Sequence, residues 1–558
     1  MKYFHLLFLF GLTLIATGQS SIYQLKYVTS SNGKTSDTPR IIYYQDGVVF
    51  LSEKEEKIQY YVDLNKQENI NTIVYEGKVN QLITPFSELP KGTKGSLTKE
   101  IFGYECDYMS YDYFSNKIDV WYTNKSEVKG SPLSMFLPNP EALVTQIIIN
   151  GNEIITLDSI TKVNKVDLNN NFKEVGKIVN KAEFEELKIN SRFLTVCVFD
   201  NEIINFNPDL KPAKEKDLDF DKTYHFSKGS VIMKKIKITK EMQQSGYIFA
   251  RLTCRSNGDA YDRTGSVFLI SDKNEGNITI LDAYQYGIDQ LPVYTDHNKQ
   301  NYQGIKLMDN YQPPVEIMRF FTSFGVENFN KKRAINNYDW ENQAIYEQDI
   351  TALFPNHEKS IWIGVFIGNY DSGGHKVSLT LDFHPFWSGE VDQRIKYIKP
   401  LFSTVNTMEM EGQNYGKLFN NDTLKVDFEI PKGLEETELL YTTTGHGGWG
   451  GGDEFNPKLN QIFIDGKEYF RIVPWRTDCA TYRLYNPASG NFENGLSSSD
   501  LSRSNWCPAT LTPPFIIPLK DLKPGKHQLE VVIDQGKDEG TSFSHWNISG
   551  VLCGKTKK

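Results

Sequence analysis

The stretch Lys117-Ile118-Asp119-Val120-Trp121-Tyr122-Thr123 places Ile118, Val120 and Tyr122 on one face of an extended chain. Segments of the same kind recur along the sequence, as in Arg40-Ile41-Ile42-Tyr43-Tyr44, Lys57-Ile58-Gln59-Tyr60-Tyr61-Val62 and Gln146 to Asn150. Asn-Gly, Asp-Gly and Asn/Lys turns separate them, as hairpins require. Gly103-Tyr104-Glu105-Cys106 followed by Ile118 to Thr123 reads as one antiparallel hairpin. No long amphipathic helix is evident, so the chain is expected to be all-β.

Working outward, 558 residues exceed what one hydrophobic core serves, which implies several domains. The Pro-, Asp- and Lys-containing stretch Asn207 to Asp217 has the composition of a linker. Strands resume at Ser230 to Ile238 and Tyr247 to Thr253. They continue through Ser266 to Ser271, Trp362 to Ile367 and Val377 to Phe383. The last ones are His527 to Ile533 and Trp546 to Val551. The expected division is a mostly β N-terminal domain over 19–200, a linker over 201–222, and β-sandwiches of jelly-roll size over 223–392 and 393–558.

The first residues, MKYFHLLFLFGLTLIATGQS, combine Lys2, an apolar run from Leu6 to Ala16 and the small-residue site Ala16-Thr17-Gly18. This is the pattern of a secretory signal peptide over residues 1–18. The expected location is therefore periplasmic or extracellular, and no later stretch is apolar enough to span a membrane. A net charge of -9 without a basic block argues against nucleic-acid binding. Aromatic residues make up 13% of the chain, a share that suits sheet packing and equally suits stacking against sugar rings. Of the six cysteines, Cys479 and Cys507 bracket a Gly-, Asn- and Ser-rich stretch. A disulfide there would remove disorder from the loop; two free buried thiols are the alternative.

Three stretches carry candidate chemistry. Thr442 to Phe455 crowds six glycines around His446, Trp449, Asp453 and Glu454. Glycines cost stability unless the backbone must turn sharply or approach a ligand closely. The loop lacks the lysine of a phosphate-binding motif. Asn257 to Ser266 places Tyr261, Asp262 and Arg263 at the start of a strand, where an acid beside a base is also a common surface turn. Near the cysteine pair, Trp475-Arg476 and Arg503-Ser504-Asn505-Trp506 form an aromatic and guanidinium set. Such a set suits an oligosaccharide surface, or a core tryptophan with an arginine stacked on it. His residues are scattered with no His-x-His pair, so no metal or other cofactor is expected.

At these stretches the sequence resembles the peptide-N-glycosidase F family. Thr442-Thr443, Trp449-Gly450 and Glu454-Phe455 match its loop, Tyr261-Asp262-Arg263 its aromatic-Asp-Arg triplet, and Arg503 to Pro508 its Arg-x-x-Trp-Cys-Pro element, in family order over residues 225 to 555. The resemblance implies two adjacent jelly-roll β-sandwiches with a cleft between them, preceded here by the additional N-terminal β domain of the larger relatives. It implies an amidase that releases whole N-glycans from asparagine of glycoproteins or glycopeptides and leaves aspartate. By the same resemblance the catalytic pair is Asp262 and Glu454. Substrate contacts fall to Tyr261, Arg263, Trp449, Asp453, Arg503 and Trp506. The family's second Glu lands near Gly368-Asn369-Tyr370, where Asp371 is the nearest acid. A monomer is expected. The competing functions are a non-catalytic glycan-binding protein and an endoglycosidase, since two acids in a sugar cleft suit hydrolysis of either bond.

Overall fold

The computed structural model describes residues 21–51, 58–75, 77–163, 176–214, 218–272, 277–325, 339–386, 392, 394–447, 452–487, 497–538 and 543–556. The proposed signal segment 1–18 and Trp449 lie outside these residues. The chain divides into two compact units, Met1–Arg192 and Phe193–Lys558.

The first unit is built on a single 13-stranded sheet. Its strands turn at Asn32-Gly33, Asp46-Gly47 and Asn150-Gly151, where both residues of each pair have φ between 51° and 81°. Asn, Asp and Gly tolerate that conformation, and it matches the twist of the paired strands. The hairpin read from the sequence is formed by Tyr104–Tyr113 and Asn116–Thr123, with Tyr108 opposite Trp121. Leu25, Tyr27, Val120, Val144 and Ile147 pack in its core. One helix, Lys181–Asn190, begins with a reciprocal cap between Asn180 and Glu183 and buries Phe184 against Ile73 and Val179.

The second unit holds two sandwiches. In the first, a sheet of six strands includes Val231–Lys237, Ser360–Ile367, Thr264–Ser271 and Val315–Phe321. A sheet of four strands faces it: Leu194–Ile204, His375–His384, Tyr247–Ser256 and Ala344–Asp349. Every residue of Ser360–Ile367 is buried, because this central strand is covered on both faces. Its sequence, SIWIGVFI, therefore reads as a continuous apolar run instead of alternating. In the second sandwich, Ile395–Ser403, His545–Thr556, Leu434–His446 and Phe515–Pro518 form one sheet. Leu424–Ile430, Gly525–Ile533, Asn460–Ile464 and Lys467–Ile472 form the other. The chain is thus all-β, as the strand pattern indicates.

The boundary between the units differs from the sequence expectation. Residues 201–204 end the strand Leu194–Ile204, which pairs with His375–His384. The polar stretch that resembles a linker therefore follows the first strand of the sandwich and runs within the second unit. Alternating exposure on this edge strand hides its membership from a composition argument.

The two sandwiches share a core. Leu440, Val551 and Cys553 of the second pack in the same apolar cluster as Val267 and Ile363 of the first. A buried ion pair locks the seam: Arg319 Nε donates to Glu316 Oε1 at 2.6 Å. Arg319 Nη1 also donates across the seam to Thr444 Oγ1 and the Asn547 carbonyl, each at 2.9 Å. Ser549 donates to Glu316 Oε2 from the same side. The seam is thereby fixed by directional bonds as well as by packing.

Candidate active site

Asp262 and Arg263 lie just before the strand Thr264–Ser271, in a turn that Asp259 organises. Asp259 is buried and accepts from the Tyr261 N–H at 3.1 Å. It also accepts from Arg263 Nε at 2.8 Å and Nη2 at 3.3 Å. Thr322 completes the turn, accepting from the Arg263 N–H at 2.8 Å and donating to the Tyr261 carbonyl at 2.9 Å. The guanidinium of Arg263 lies 4.9 Å from the Tyr261 ring centre and 5.5 Å from that of Tyr370. Both rings remain open to solvent, at 60% and 55% exposure. A cation held between two accessible aromatic faces is a surface that sugar rings can stack on.

Glu454 comes from the second sandwich, just after the glycine-rich loop. The segment is anchored by Asp453, which accepts from Trp546 Nε1 at 2.7 Å and from the Gly536 N–H at 3.0 Å. The Ser504 N–H donates to the Glu454 carbonyl at 3.0 Å, tying the loop to the Arg503 segment. Arg503 itself is only 1% exposed. Its Nε bonds Glu454 Oε1 at 3.0 Å, and its Nη2 lies 3.6 Å from Asp262 Oδ2. Asp262 and Glu454, about a fifth exposed, therefore meet on one guanidinium. Phe455 and Trp506 cover the guanidinium at 5.1 and 4.5 Å.

One buried cation balances one carboxylate, so the pair retains a proton. Burial raises Glu454 to about 8, and the Asp262 charge adds to the rise while Arg503 opposes it. Burial raises Asp262 also, but there Arg503 and Arg263 both pull the other way. Asp259, paired with Arg263, raises Asp262 in turn, so the two carboxylates titrate as a coupled pair around Arg503.

Several residues that the sequence singles out behave differently from expectation. Trp506 is buried, stacked 4.2 Å from Phe321, with its Nε1 donating to the Gly445 carbonyl at 3.0 Å. It supports Arg503 from behind and offers no face to a sugar. Asp453 is also fully buried and committed to holding its own loop. Arg503 is a bridge between the carboxylates instead of an exposed substrate contact. His446 is buried against His545, ring centres 4.9 Å apart, and burial keeps its imidazole neutral. Cys479 and Cys507 are joined across 28 positions, and closing the segment between them contributes about 3.6 kcal/mol by loop entropy. Cys106, Cys254 and Cys553 are free and buried, and Cys197 is free and exposed.

A further carboxylate sits here that local motifs do not show. Asp371 accepts from the N–H groups of Gly373 and Gly374 at 2.6 and 3.3 Å, so it is spent on its own turn. The acid that reaches Gly368 is Glu409, from the connection between Ile395–Ser403 and Leu424–Ile430 of the second sandwich. A Cβ at position 368 would stand 2.7 Å from Glu409 Oε1, so a side chain there would push the carboxylate aside. Its Oε2 accepts from the Tyr415 hydroxyl at 2.8 Å and the Tyr370 hydroxyl at 3.4 Å. Burial raises its pKa, with Arg263 opposing.

Comparison with known proteins agrees with this architecture. The family profile described as Peptide-N-glycosidase F, N terminal, matches residues 195–383, and that described as Peptide-N-glycosidase F, C terminal, matches 414–553. A third, described as N-glycanase peptide, N-terminal domain, matches 25–185. Among solved structures, PNGF-II in one space group is 40% identical, covering 96% of this chain and 98% of that one with a TM-score of 0.77. In a second space group the values are 39%, 96%, 99% and 0.75. PNGase F from Flavobacterium meningosepticum is 15% identical over 66% of this chain and 96% of its own, with a TM-score of 0.43. The search of curated proteins returned no match. With all three profiles matched and PNGF-II similar over almost its full length, the chain belongs to the peptide-N-glycosidase F family, in the group with an additional N-terminal domain.

Proposed function

We propose that the protein is an N-glycan amidase. It hydrolyses the bond between the asparagine side-chain carbonyl and the nitrogen of the innermost sugar, in exported glycoproteins or glycopeptides. The observation that carries this is the pair Asp262 and Glu454 on a shared Arg503, in a chain of this family. Ionised Asp262 takes a proton from water as the water oxygen attacks the amide carbon. Glu454, whose Oε1 is engaged by Arg503, carries its proton on Oε2 and gives it to the leaving nitrogen. The carbon–nitrogen bond breaks, asparagine becomes aspartate, and the glycan leaves as a glycosylamine that water converts to the free sugar and ammonia. Arg263 and Arg503 supply positive charge where the carbonyl oxygen becomes negative. Tyr261 and Tyr370 offer the accessible rings for the first sugars. Trp449 retains its proposed role at the cleft on the resemblance alone.

An endoglycosidase fits less well. What favours the amide bond over the glycosidic one is the match to the family described as Peptide-N-glycosidase F. A purely binding protein has no use for a buried acid held protonated.

The proton on Glu454 gives the test. Because its pKa is raised, the donor form is present below about 8 and lost as pH rises through that value. Intact-glycan release is expected to show a falling limb in kcat/KM near pH 8, and Glu454→Gln is expected to abolish that limb along with most activity. An unchanged limb in Glu454→Gln would remove Glu454 from the donor role.

A further inference from the structure

A cavity of about 600 Å³ lies beside the connection from Ile395–Ser403 to Leu424–Ile430 of the second sandwich, and Asn298, Asn414, Tyr415, Lys417, Gln535 and Phe543 are among its lining. Tyr415 belongs both to this cavity and to the candidate active site. Its ring lies 5.1 Å from that of Phe543, and its hydroxyl lies 3.0 Å from the Tyr370 hydroxyl. Tyr370 in turn covers Arg263, the neighbour of Asp262. Glu409 holds the two tyrosines together by accepting from both hydroxyls. A continuous line of side chains thus leads from the catalytic pair to the cavity.

The lining has a definite chemistry. It is dominated by side-chain amides, which donate and accept at once, together with the rings of Tyr302, Tyr415 and Phe543 and the carboxylates of Asp296 and Asp538. Its cation is already engaged: Lys417 pairs with Asp538 at 2.7 Å and lies 4.5 Å from the Phe543 ring centre. Gln535 donates to the Ser544 and Lys417 carbonyls, while its buried Oε1 has no partner among the described residues. Hydroxyls for the amides and a C–H face for the rings are what a neutral sugar provides.

The wall is also fixed before any ligand arrives. Asn414 donates from Nδ2 to the Asn301 carbonyl at 2.6 Å and from its N–H to Gln303 Oε1 at 3.1 Å. Asn406 Nδ2 donates to the Asn414 carbonyl at 2.9 Å. Asp296 braces the opposite hairpin through the N–H groups of Asn298 and Gln300 at 2.9 and 2.8 Å. Side chains tied down in this way lose little further freedom on binding.

We propose that this cavity is an outer glycan subsite, which takes neutral sugars beyond the innermost pair of the N-glycan. Glu409 is the positioning residue that keeps Tyr370 and Tyr415 on the path to it. The proposal rests on the glycan-releasing function above, and its test uses binding alone so that the two can fail separately. The probes are free chitobiose and the free core pentasaccharide (the same two N-acetylglucosamines plus three mannoses), titrated calorimetrically into the full chain. The pentasaccharide is expected to bind about fivefold or more tighter. Phe543→Ala and, independently, Asn414→Ala are expected to bring the ratio close to one by weakening the pentasaccharide selectively. Equal affinity for the two probes in the wild type, or variants that weaken both probes alike, would overturn the subsite. If the ratio holds but no glycan is released from any glycoprotein, the hydrolase function falls and the subsite stands.

Discussion

Asp262→Asn should release no measurable glycan, a loss of about 10³-fold or more, while the protein remains folded. The substitution keeps the shape of the side chain and removes its capacity to take a proton from water. Its structural cost is small. The Arg503 guanidinium keeps Glu454 as a direct partner at 3.0 Å, and the turn that presents Asp262 is held by Asp259 and Thr322, which are untouched. Stability should change by about 1 kcal/mol, a shift of a few degrees in Tm. The checks are glycan release from a denatured glycoprotein and a thermal melt of the same preparation. A folded Asp262→Asn protein with near-wild-type rate would take Asp262 out of the chemistry.

Substitution of Arg503 should cost both activity and stability. Arg503 is 1% exposed and is the shared counter-charge of Asp262 and Glu454. Arg503→Met leaves Glu454 without its ion-pair partner and Asp262 with only the neighbouring Arg263. Loss of one member of a buried ionic network typically costs about 3–5 kcal/mol. Asp262 would then hold its proton to higher pH, because Arg503 is what most opposes the effect of burial on it. Arg503→Lys is the more discriminating variant. Lysine keeps the charge but lacks the planar fork that reaches one carboxylate through Nε and the other through Nη2. It should fold with a smaller stability loss and still lose about 10²-fold in kcat. Denaturant unfolding and steady-state kinetics on both variants separate the two contributions. Wild-type kcat in Arg503→Lys would show that charge alone, without the bridging geometry, is enough.

Much of the fold can be read in the sequence because β structure leaves local marks. Alternation at Ile118, Val120 and Tyr122 and the Asn-Gly and Asp-Gly turns report directly on strands and hairpins. The glycine-rich loop, the Asp262-Arg263 step and the cysteine pair are visible for a similar reason, since each is an unusual run of neighbours. What stays hidden depends on contacts between distant segments. Trp506 and Asp453 have the residue types of a sugar site, and only packing against Phe321 and Trp546 reveals that they are buried. Glu409 belongs to no motif; it becomes recognisable once Gly368, Tyr370 and Tyr415 are gathered around it. The first strand of the sandwich, Leu194–Ile204, was obscured because an edge strand with alternating exposure next to a charged segment resembles the end of a preceding domain.

The scissile bond proposed here is the asparagine amide. Mass spectrometry of a denatured N-glycoprotein after incubation with the purified chain tests it most directly. Each former glycosylation site is expected to read as aspartate, with the whole glycan, both N-acetylglucosamines included, free in solution. A single N-acetylglucosamine left on asparagine would contradict it, because the bond cut would then be glycosidic and Asp262 and Glu454 would be acting on a sugar carbon.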